Sequence, residues 1–237
     1  MAAAAAAPPP HPRLYGRRQG HRLSPTQEAL LATELPKVAI DLTGAPGSLE
    51  PARLFGPKIR AVRLEIGFGG GEHLLAEAKR HPDVGFIGCE PYVNGVVTLL
   101  RHVVADKIAN VRIVMEDARL LLAVLADASI GGVDLLFPDP WPKRRHHKRR
   151  FVTPTNLDGL ARVLLDRGTF RFASDHAEYA RWALWHVLRH PAFGWTAQSA
   201  ADWRSGPGQP ETRYARKALD AGLPGIYLGF RRLPRGA

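Results

Sequence analysis

The chain has 237 residues, 45% of them hydrophobic, enough to form the core of one large domain or two small ones. Its single cysteine, Cys89, excludes a framework of internal disulfides, and no apolar run reaches the roughly 18 residues that indicate a membrane-spanning helix. The net charge of +11 is concentrated in two segments, since residues 143–150 carry six Lys and Arg and residues 13–22 carry four. Two such segments on a nearly neutral body favour a polyanionic partner, most simply a nucleic acid; a solvated surface run is the alternative.

The first residues, MAAAAAAPPP, lack the basic start and long apolar core of a secretory signal and are typical of a low-complexity tail. RLYGRRQGHRL follows them and has the composition of a flexible basic arm. We therefore expect residues 1–24 to be a disordered tail and arm, and residues 25–237 to form a single domain. One cysteine and the absence of a signal indicate a cytoplasmic protein.

Short β-like runs alternate with helical patterns along the rest of the chain. This alternation predicts an α/β fold with a doubly wound, mostly parallel sheet and crossover helices, which is a Rossmann-like architecture. The predicted strands are 61–68, 84–90, 110–117, 131–139, 168–175 and 225–232. The predicted helices are 72–81, 93–107, 118–126, 157–165 and 177–190.

A glycine loop lies between the first strand and the first helix, in the stretch EIGFGGGE. Ligands bind beyond the carboxyl ends of the strands in such folds, and glycines there let the backbone approach a ligand closely. A dinucleotide fingerprint that uses Gly67 and Gly69 would need a third glycine at position 72, which is Glu72, and a carboxylate there would oppose a pyrophosphate. The loop therefore favours S-adenosylmethionine (SAM) as the ligand, and Gly67 and Gly69 are predicted to contact it. A purely structural turn is the alternative.

Carboxylates stand at the ends of the next two strands. Glu90 ends the second strand and could accept hydrogen bonds from both hydroxyls of a ribose. Asp117 ends the third strand, where it could bond an adenine amino group, and Glu116 beside it is the rival for that role. Cys89 is predicted to be a buried apolar residue and not a nucleophile.

The fourth strand ends in FPDPWP, which holds one aspartate between two prolines. Pro138 and Pro140 restrict their own φ angles and the residues before them, so the direction of the Asp139 carboxylate is fixed at the mouth of the site. Trp141 either stacks on a base or anchors the loop. The basic run after it includes His146 and His147, which lack the spaced partners of a zinc site, so we predict no metal and a wider basic surface.

Several of these motifs together resemble the bacterial tRNA (guanine-N7-)-methyltransferases. The resemblance rests on LEIGFGGGEHL, FIGCEPY, FPDPWPKRRHHKRRF, SDHAEYA and ETRYARKALDAG, and it covers about residues 13–232. FPDPWPK with the following H-x-KRRF is the most specific part. The resemblance implies a class I, Rossmann-like, SAM-dependent methyltransferase that acts on N7 of a guanosine in tRNA, by family analogy in the variable loop.

The resemblance also implies roles for single residues. The family's cofactor-site acids match Glu65, Glu90, Asp117 and Asp139, and the last is also its catalytic residue. Substrate-binding positions match Lys143, Asp175, Thr212, Arg213 and Tyr214. The next family position is usually Glu, whose carboxylate could accept from the guanine N1–H and amino group, and here it is Ala215. Asp175 with Glu178 also forms a D-x-x-E pattern that caps a helix without any substrate.

Three alternatives stay open at this stage. An enzyme of the same fold could methylate an exocyclic amino group, because DPW partly resembles [D/N]-P-P-[Y/F/W], whose backbone carbonyl accepts from that group. Ala215 raises the possibility of a tRNA-binding protein with impaired catalysis. A nicotinamide oxidoreductase is disfavoured by Glu72 and the basic run. The expected partner is tRNA, with no membrane, no metal and no indicated protein partner, in a monomer or homodimer.

Overall fold

A computed structural model describes residues 14–44, 46–204 and 225–236. Its strands are β1 (Ala61–Ile66), β2 (Val84–Cys89), β3 (Val111–Val114), β4 (Ile130–Leu136), β5 (Leu164–Ser174), β6 (Phe193–Trp195) and β7 (Ile226–Arg232). They form one seven-stranded sheet in the order β3-β2-β1-β4-β5-β7-β6. Strands β1 to β5 pair in parallel, and β7 runs antiparallel between β5 and β6. The predicted mostly parallel sheet is confirmed.

The helices lie on both faces of this sheet. They are α1 (Pro25–Val38), α2 (Glu72–Arg80), α3 (Val93–Ala105), α4 (Ala118–Val124), α5 (Pro154–Val163), α6 (Ala177–Leu188) and α7 (Ala201–Arg204), with 3₁₀ helices at Pro51–Leu54 and Arg144–Arg149. Helices α2 and α3 contribute to one buried apolar cluster, and α4, α5 and α6 to a second. Two cores separated by the sheet are the expected result of right-handed crossovers that wind in both directions.

The observed strands end two or three residues before several of the predicted ones. Strands β1, β3 and β4 stop at Ile66, Val114 and Leu136, whereas the apolar pattern predicts strands to 68, 117 and 139. After β1 and β4 the backbone turns at once into left-handed conformations, with φ of 74° at Gly67 and 50° at Phe137. The polar residues that follow therefore lie in loops above the sheet edge, where they are free to face a ligand.

The sequence pattern missed three elements: α1, the short α7 and the edge strand β6. Helix α1 begins with a capping box, since the Ser24 side chain accepts from Gln27 N and the Gln27 side chain accepts from Ser24 N at 2.9 Å. Its leucines, among them Leu30 and Leu35, are only partly buried against the α2–α3 core, so its apolar periodicity is weak. The capping signal was nevertheless readable in the sequence.

The carboxyl ends of β1 and β4 form the topological switch point of the sheet. From β1 the chain order runs outward through β2 and β3 on one side, while β4 and β5 lie on the other. Crevices at such a point are the usual ligand sites of doubly wound sheets. In the described ranges no helix combines the length and apolar character required for crossing a membrane.

Helix α3 packs directly against the glycine loop at Gly95. A Cβ atom at Gly95 would lie 2.2 Å from the carbonyl oxygen of Gly69. Because this oxygen belongs to the backbone, the clash cannot be relieved by rotating a side chain. The absence of a side chain at Gly95 thus fixes how closely α3 approaches the loop that follows β1.

Gly95→Ala should lower the free energy of unfolding by about 1–3 kcal/mol, because the added methyl group displaces the backbone of the glycine loop. Gly159→Ala is the matched control, since it lies in α5 and its Cβ would meet only Leu122 Cδ1 at 3.6 Å. Alanine there should leave the stability unchanged or raise it by about 0.5–1 kcal/mol. Urea unfolding of both variants measures the difference, and equal effects would contradict the close packing at Gly95.

Candidate active site at the carboxyl edge of the sheet

Two adjoining cavities open above the ends of β1, β2 and β4. Their volumes are about 350 Å³ and 370 Å³, and both are lined by Tyr15, Gly67 and Arg149, so they are two halves of one cleft. The first half reaches Glu90 and Asp139. The second half reaches Asp117, Arg119 and the start of α5. Each half falls in the range of roughly 300–1,000 Å³ that is usual for cofactor sites.

Glu90 joins the end of β2 to the glycine loop. Its Oε2 accepts from Gly69 N at 2.8 Å and its Oε1 accepts from Tyr92 N at 3.0 Å. Burial raises the pKa of the Glu90 carboxyl, and these two backbone hydrogen bonds partly offset the shift. A carboxylate has about four lone-pair sites, so Glu90 still has two with which to accept from hydroxyls in the cleft.

Glu65 lies behind the glycine loop and is not among the residues that line the two halves of the cleft. It is 5% exposed, and its Oε2 lies 2.7 Å from His73 Nδ1 in α2. Burial raises the pKa of Glu65, and the neighbouring carboxylate holds the pKa of His73 above its usual value in spite of burial. The pair lines a small cavity together with Gly67 and Phe68 of the glycine loop. Sequence reasoning missed His73, which looks like an ordinary helix residue.

Asp117 is part of the cleft wall, whereas Glu116 is not. The Asp117 side chain caps α4 by accepting from Arg119 N at 2.9 Å, and it also pairs with the Arg119 guanidinium at 2.6 Å. Glu116 instead pairs with Arg18 of the N-terminal arm at 3.0 Å. Of the two predicted candidates for the adenine contact, the geometry therefore favours Asp117, with Arg119 beside it.

Cys89 is buried as predicted, with 1% exposure and its thiol donating to the carbonyl of Glu116. Burial raises its thiol pKa well above the usual range, so it is not a thiolate at neutral pH.

Asp139 lies in a loop that is held in an unusual conformation. Phe137 and Trp141, on either side of it, have φ of 50° and 44°, which costs about 1–3 kcal/mol for each non-glycine residue. Two hydrogen bonds hold the loop, from Phe137 N to Ala173 O at 2.8 Å and from Arg150 Nε to Pro140 O at 2.9 Å. Asp139 itself is exposed and lines the cleft. Its carboxylate forms no hydrogen bond or ion pair within the described ranges, so it is free to act on a ligand.

The basic run divides into three parts with different surroundings. Lys143, Arg144, Arg145 and Lys148 are exposed. Arg149 turns inward, with its guanidinium 4.7 Å from the ring centroid of Trp141 and 5.2 Å from that of Tyr15. Arg150 is 2% exposed. The interpretation of the run as a segment that meets a polyanionic partner is therefore wrong for Arg150, which solvent and RNA cannot reach.

The two histidines of the run differ in their surroundings. Partial burial and the surrounding cations lower the pKa of His146, so this imidazole is neutral at pH 7. His147 is partly buried, with its ring 5.4 Å from Trp182. The predicted wider basic surface is thus wrong for His146.

Trp141 contacts both His146 and Arg149 and lines the cleft, a position compatible with both of its predicted roles.

Asp175 follows β5 and is exposed. The predicted D-x-x-E cap is wrong, because the residue that caps α6 is His176, whose ring accepts from Tyr179 N at 3.2 Å. Glu178 pairs with Arg150 instead. The Asp175 carboxylate is therefore not used as a cap. Thr212, Arg213, Tyr214 and Ala215 lie outside the described residues.

The N-terminal arm covers the cleft in its described part. Residues 14–24 form no helix or strand, yet Val93 N donates to Arg18 O at 2.9 Å and Gly20 N donates to Asn94 Oδ1 at 2.8 Å. Leu14 and Tyr15 line both halves of the cleft. The arm predicted to be flexible is thus held on the domain from Leu14 onward, and it contributes to the site.

The sheet order and the cleft at its switch point define a Rossmann-like fold with a ligand site at the carboxyl edge of the sheet. The fold is similar to the crystal structure of the aminoglycoside resistance methyltransferase NpmB1, with a TM-score of 0.53 at 15% identity over 75% of this chain and 89% of that one. Residues 60–227 match a family model described as "Putative methyltransferase".

Two curated relatives place the chain more narrowly. The tRNA (guanine-N(7)-)-methyltransferase of Nitrobacter hamburgensis is 51% identical over 92% of this chain and 86% of its own length. That of Azorhizobium caulinodans is 52% identical over 92% of this chain and 94% of its own length. The chain belongs to the tRNA (guanine-N(7)-)-methyltransferase family.

Proposed function

We propose that this enzyme transfers a methyl group from SAM to N7 of a guanosine in tRNA, in the variable loop. One observation carries the proposal: the carboxylate of Asp139, which has no partner among the described residues, stands at the mouth of the cleft, between the glycine loop and the exposed cations of the basic run. A fixed negative charge beside an RNA-binding surface is what methylation of a ring nitrogen requires.

The residues of the cleft fit SAM. Glu90 has acceptor capacity left for the two ribose hydroxyls, and Asp117 lies in the other half of the cleft, where an adenine amino group needs an acceptor. Gly67 and Gly69 line the cleft, and at Gly67 no atom lies within 4 Å of the Cβ position, so a ligand can approach the backbone there. Carboxylates on three sides favour a cationic sulfonium ligand over a pyrophosphate. When bound, SAM supplies a methyl group activated on sulfur.

Asp139 acts by electrostatic stabilisation in this account, and no general base is needed. Guanine N7 has a lone pair and no proton, so nothing has to be removed before it attacks the methyl carbon. The product ring gains a positive charge as the N–C bond forms. A carboxylate held in place before the reaction stabilises that charge without reorganising, and positioning of N7 against the methyl group supplies much of the remaining rate enhancement.

The exposed cations bring the tRNA to the cleft. Lys143, Arg144, Arg145 and Lys148 lie just beyond the Asp139 loop and can contact phosphates, which orient the RNA without reading its sequence. Asp175 and the Thr212–Tyr214 segment complete the substrate-binding set by resemblance to the family.

The alternative of an exocyclic amino methyltransferase is disfavoured by the Asp139 loop. Such enzymes use a backbone carbonyl in the motif to accept from the amino group. Here Pro140, which follows Asp139, lines neither half of the cleft, and its carbonyl accepts from the buried Arg150 Nε at 2.9 Å. This leaves the side chain of Asp139 as the group that faces the substrate.

Incubation of the protein with labelled SAM and an unmodified tRNA transcript, followed by nucleoside analysis, tests the proposed function. We expect N7-methylguanosine at one position. An N-methylated exocyclic amino group would support the alternative reaction, and binding of tRNA without any transfer would support an impaired tRNA-binding protein. In the last case Ala215→Glu is the next variant to assay, because it restores the family's usual carboxylate.

Arg144→Gln/Arg145→Gln should flatten the dependence of tRNA affinity on salt, because each lost phosphate contact reduces the log–log slope by about 0.7–0.9. Arg53→Gln/Lys58→Gln removes the same charge from exposed residues near the amino end of β1, away from the cleft, and should leave the slope unchanged. Filter binding at several salt concentrations measures both. Equal slopes in the two variants would mean that the basic run is only a solvated surface.

A further inference from the structure

Arg150 ends the basic run but belongs to the interior of the protein. Its side chain is 0% exposed, in contrast to the solvent-facing Arg144 and Arg145 in the same run. The guanidinium lies between two aromatic rings, with centroid distances of 4.9 Å to Tyr179 and 5.1 Å to Trp182. A charge this deeply buried is retained in proteins only when it is paired and fully hydrogen-bonded.

The partners of Arg150 lie on two different elements. Its Nε donates to the carbonyl of Pro140, the residue after Asp139, at 2.9 Å. Its Nη1 donates to Glu178 Oε1 in α6 at 3.0 Å, and its Nη2 donates to Glu178 Oε2. A single side chain thus connects the Asp139 loop to the helix that packs on β5.

The chain on the other side of Arg150 is fixed to the same helix. Tyr179 Oη accepts from Phe151 N at 3.1 Å, and Trp182 Nε1 donates to Val152 O at 2.8 Å. Arg150 therefore has little freedom to move, and Pro140 has little freedom to move relative to α6. The left-handed turn at Trp141 comes directly after the anchored carbonyl, so the loop conformation depends on this anchor.

We infer that Arg150 is a positioning residue for methyl transfer, which holds the Asp139 loop in its reactive conformation and does not contact RNA. The inference rests on the proposed role of Asp139. Arginine is required because its planar guanidinium donates three hydrogen bonds at once, one to a carbonyl and two to the oxygens of a carboxylate. A lysine ammonium keeps the charge but cannot reproduce this geometry.

Arg150→Lys separates this role from phosphate binding. We expect the single-turnover rate at saturating SAM and tRNA to fall at least tenfold, while the tRNA Kd and its salt dependence stay at the wild-type values. Arg53→Lys is the matched control, because Arg53 is exposed near the amino end of β1 and away from the cleft, and it should leave the rate unchanged. A wild-type rate in Arg150→Lys, or a weakened tRNA affinity with an unchanged rate, would overturn the inference.

Glu178→Gln provides a second variant in case Arg150→Lys folds poorly, because the Glu178 side chain is 39% exposed and tolerates the change more easily. It should lower the same rate without changing the SAM Kd, which reports an intact cleft. In the Arg150→Lys/Glu178→Gln double variant, the loss of rate should be smaller than the sum of the two single losses, because both substitutions remove the same link between the Asp139 loop and α6. Additive losses, or no loss in Glu178→Gln, would contradict the link. An inactive wild-type protein would refute the proposed function itself, which is a distinguishable outcome.

Discussion

The conformation of the loop after β4 is the constraint on which the site depends. Two non-glycine residues there, Phe137 and Trp141, adopt left-handed backbone angles that an isolated chain would avoid. The loop keeps them because Phe137 N is bonded to Ala173 in β5 and the Pro140 carbonyl is bonded to the buried Arg150. Between these two anchors, Pro138 and Pro140 restrict the backbone and so fix the direction of the Asp139 side chain. These two hydrogen bonds to the interior offset the conformational cost of the left-handed residues, and the carboxylate of Asp139 does not contribute to holding the loop.

Within the described residues, this arrangement leaves the Asp139 carboxylate without a partner of its own. The other acids at this edge of the sheet are engaged: Glu90 with two backbone N–H groups, Asp117 with Arg119, and Glu65, which does not line the cleft, with His73. These engaged acids shape the glycine loop and the helix starts. Asp139 is exposed in a loop that two hydrogen bonds hold in place, and in the proposed reaction that combination suits it to stabilise a charge that appears only as the methyl group is transferred.

Sequence patterns were sufficient to predict six of the seven described strands, most helices and the carboxylates that follow the strands, because hydrophobic periodicity and the switch-point rule depend on local composition and topology. They did not separate residues within the basic run. Arg144, Arg149 and Arg150 look alike in sequence, yet they are exposed, stacked on Trp141 and buried, respectively. Burial of an arginine depends on long-range partners such as Glu178, 28 positions away. The pairing of Glu178 with Arg150 is also long-range, whereas the lowered pKa of His146 comes from partial burial and from the cations of its own run.

A measurement on Asp139→Asn tests the central claim most directly, because asparagine keeps the shape of the side chain and removes its charge. Single-turnover methylation of tRNA should slow by about 10²–10³, the usual effect of losing one preorganised electrostatic contact, while the Kd values for tRNA and SAM remain those of the wild type. A rate close to wild type would show that the charge of Asp139 does not stabilise the transition state. A loss confined to binding would show that the residue serves only to hold a ligand.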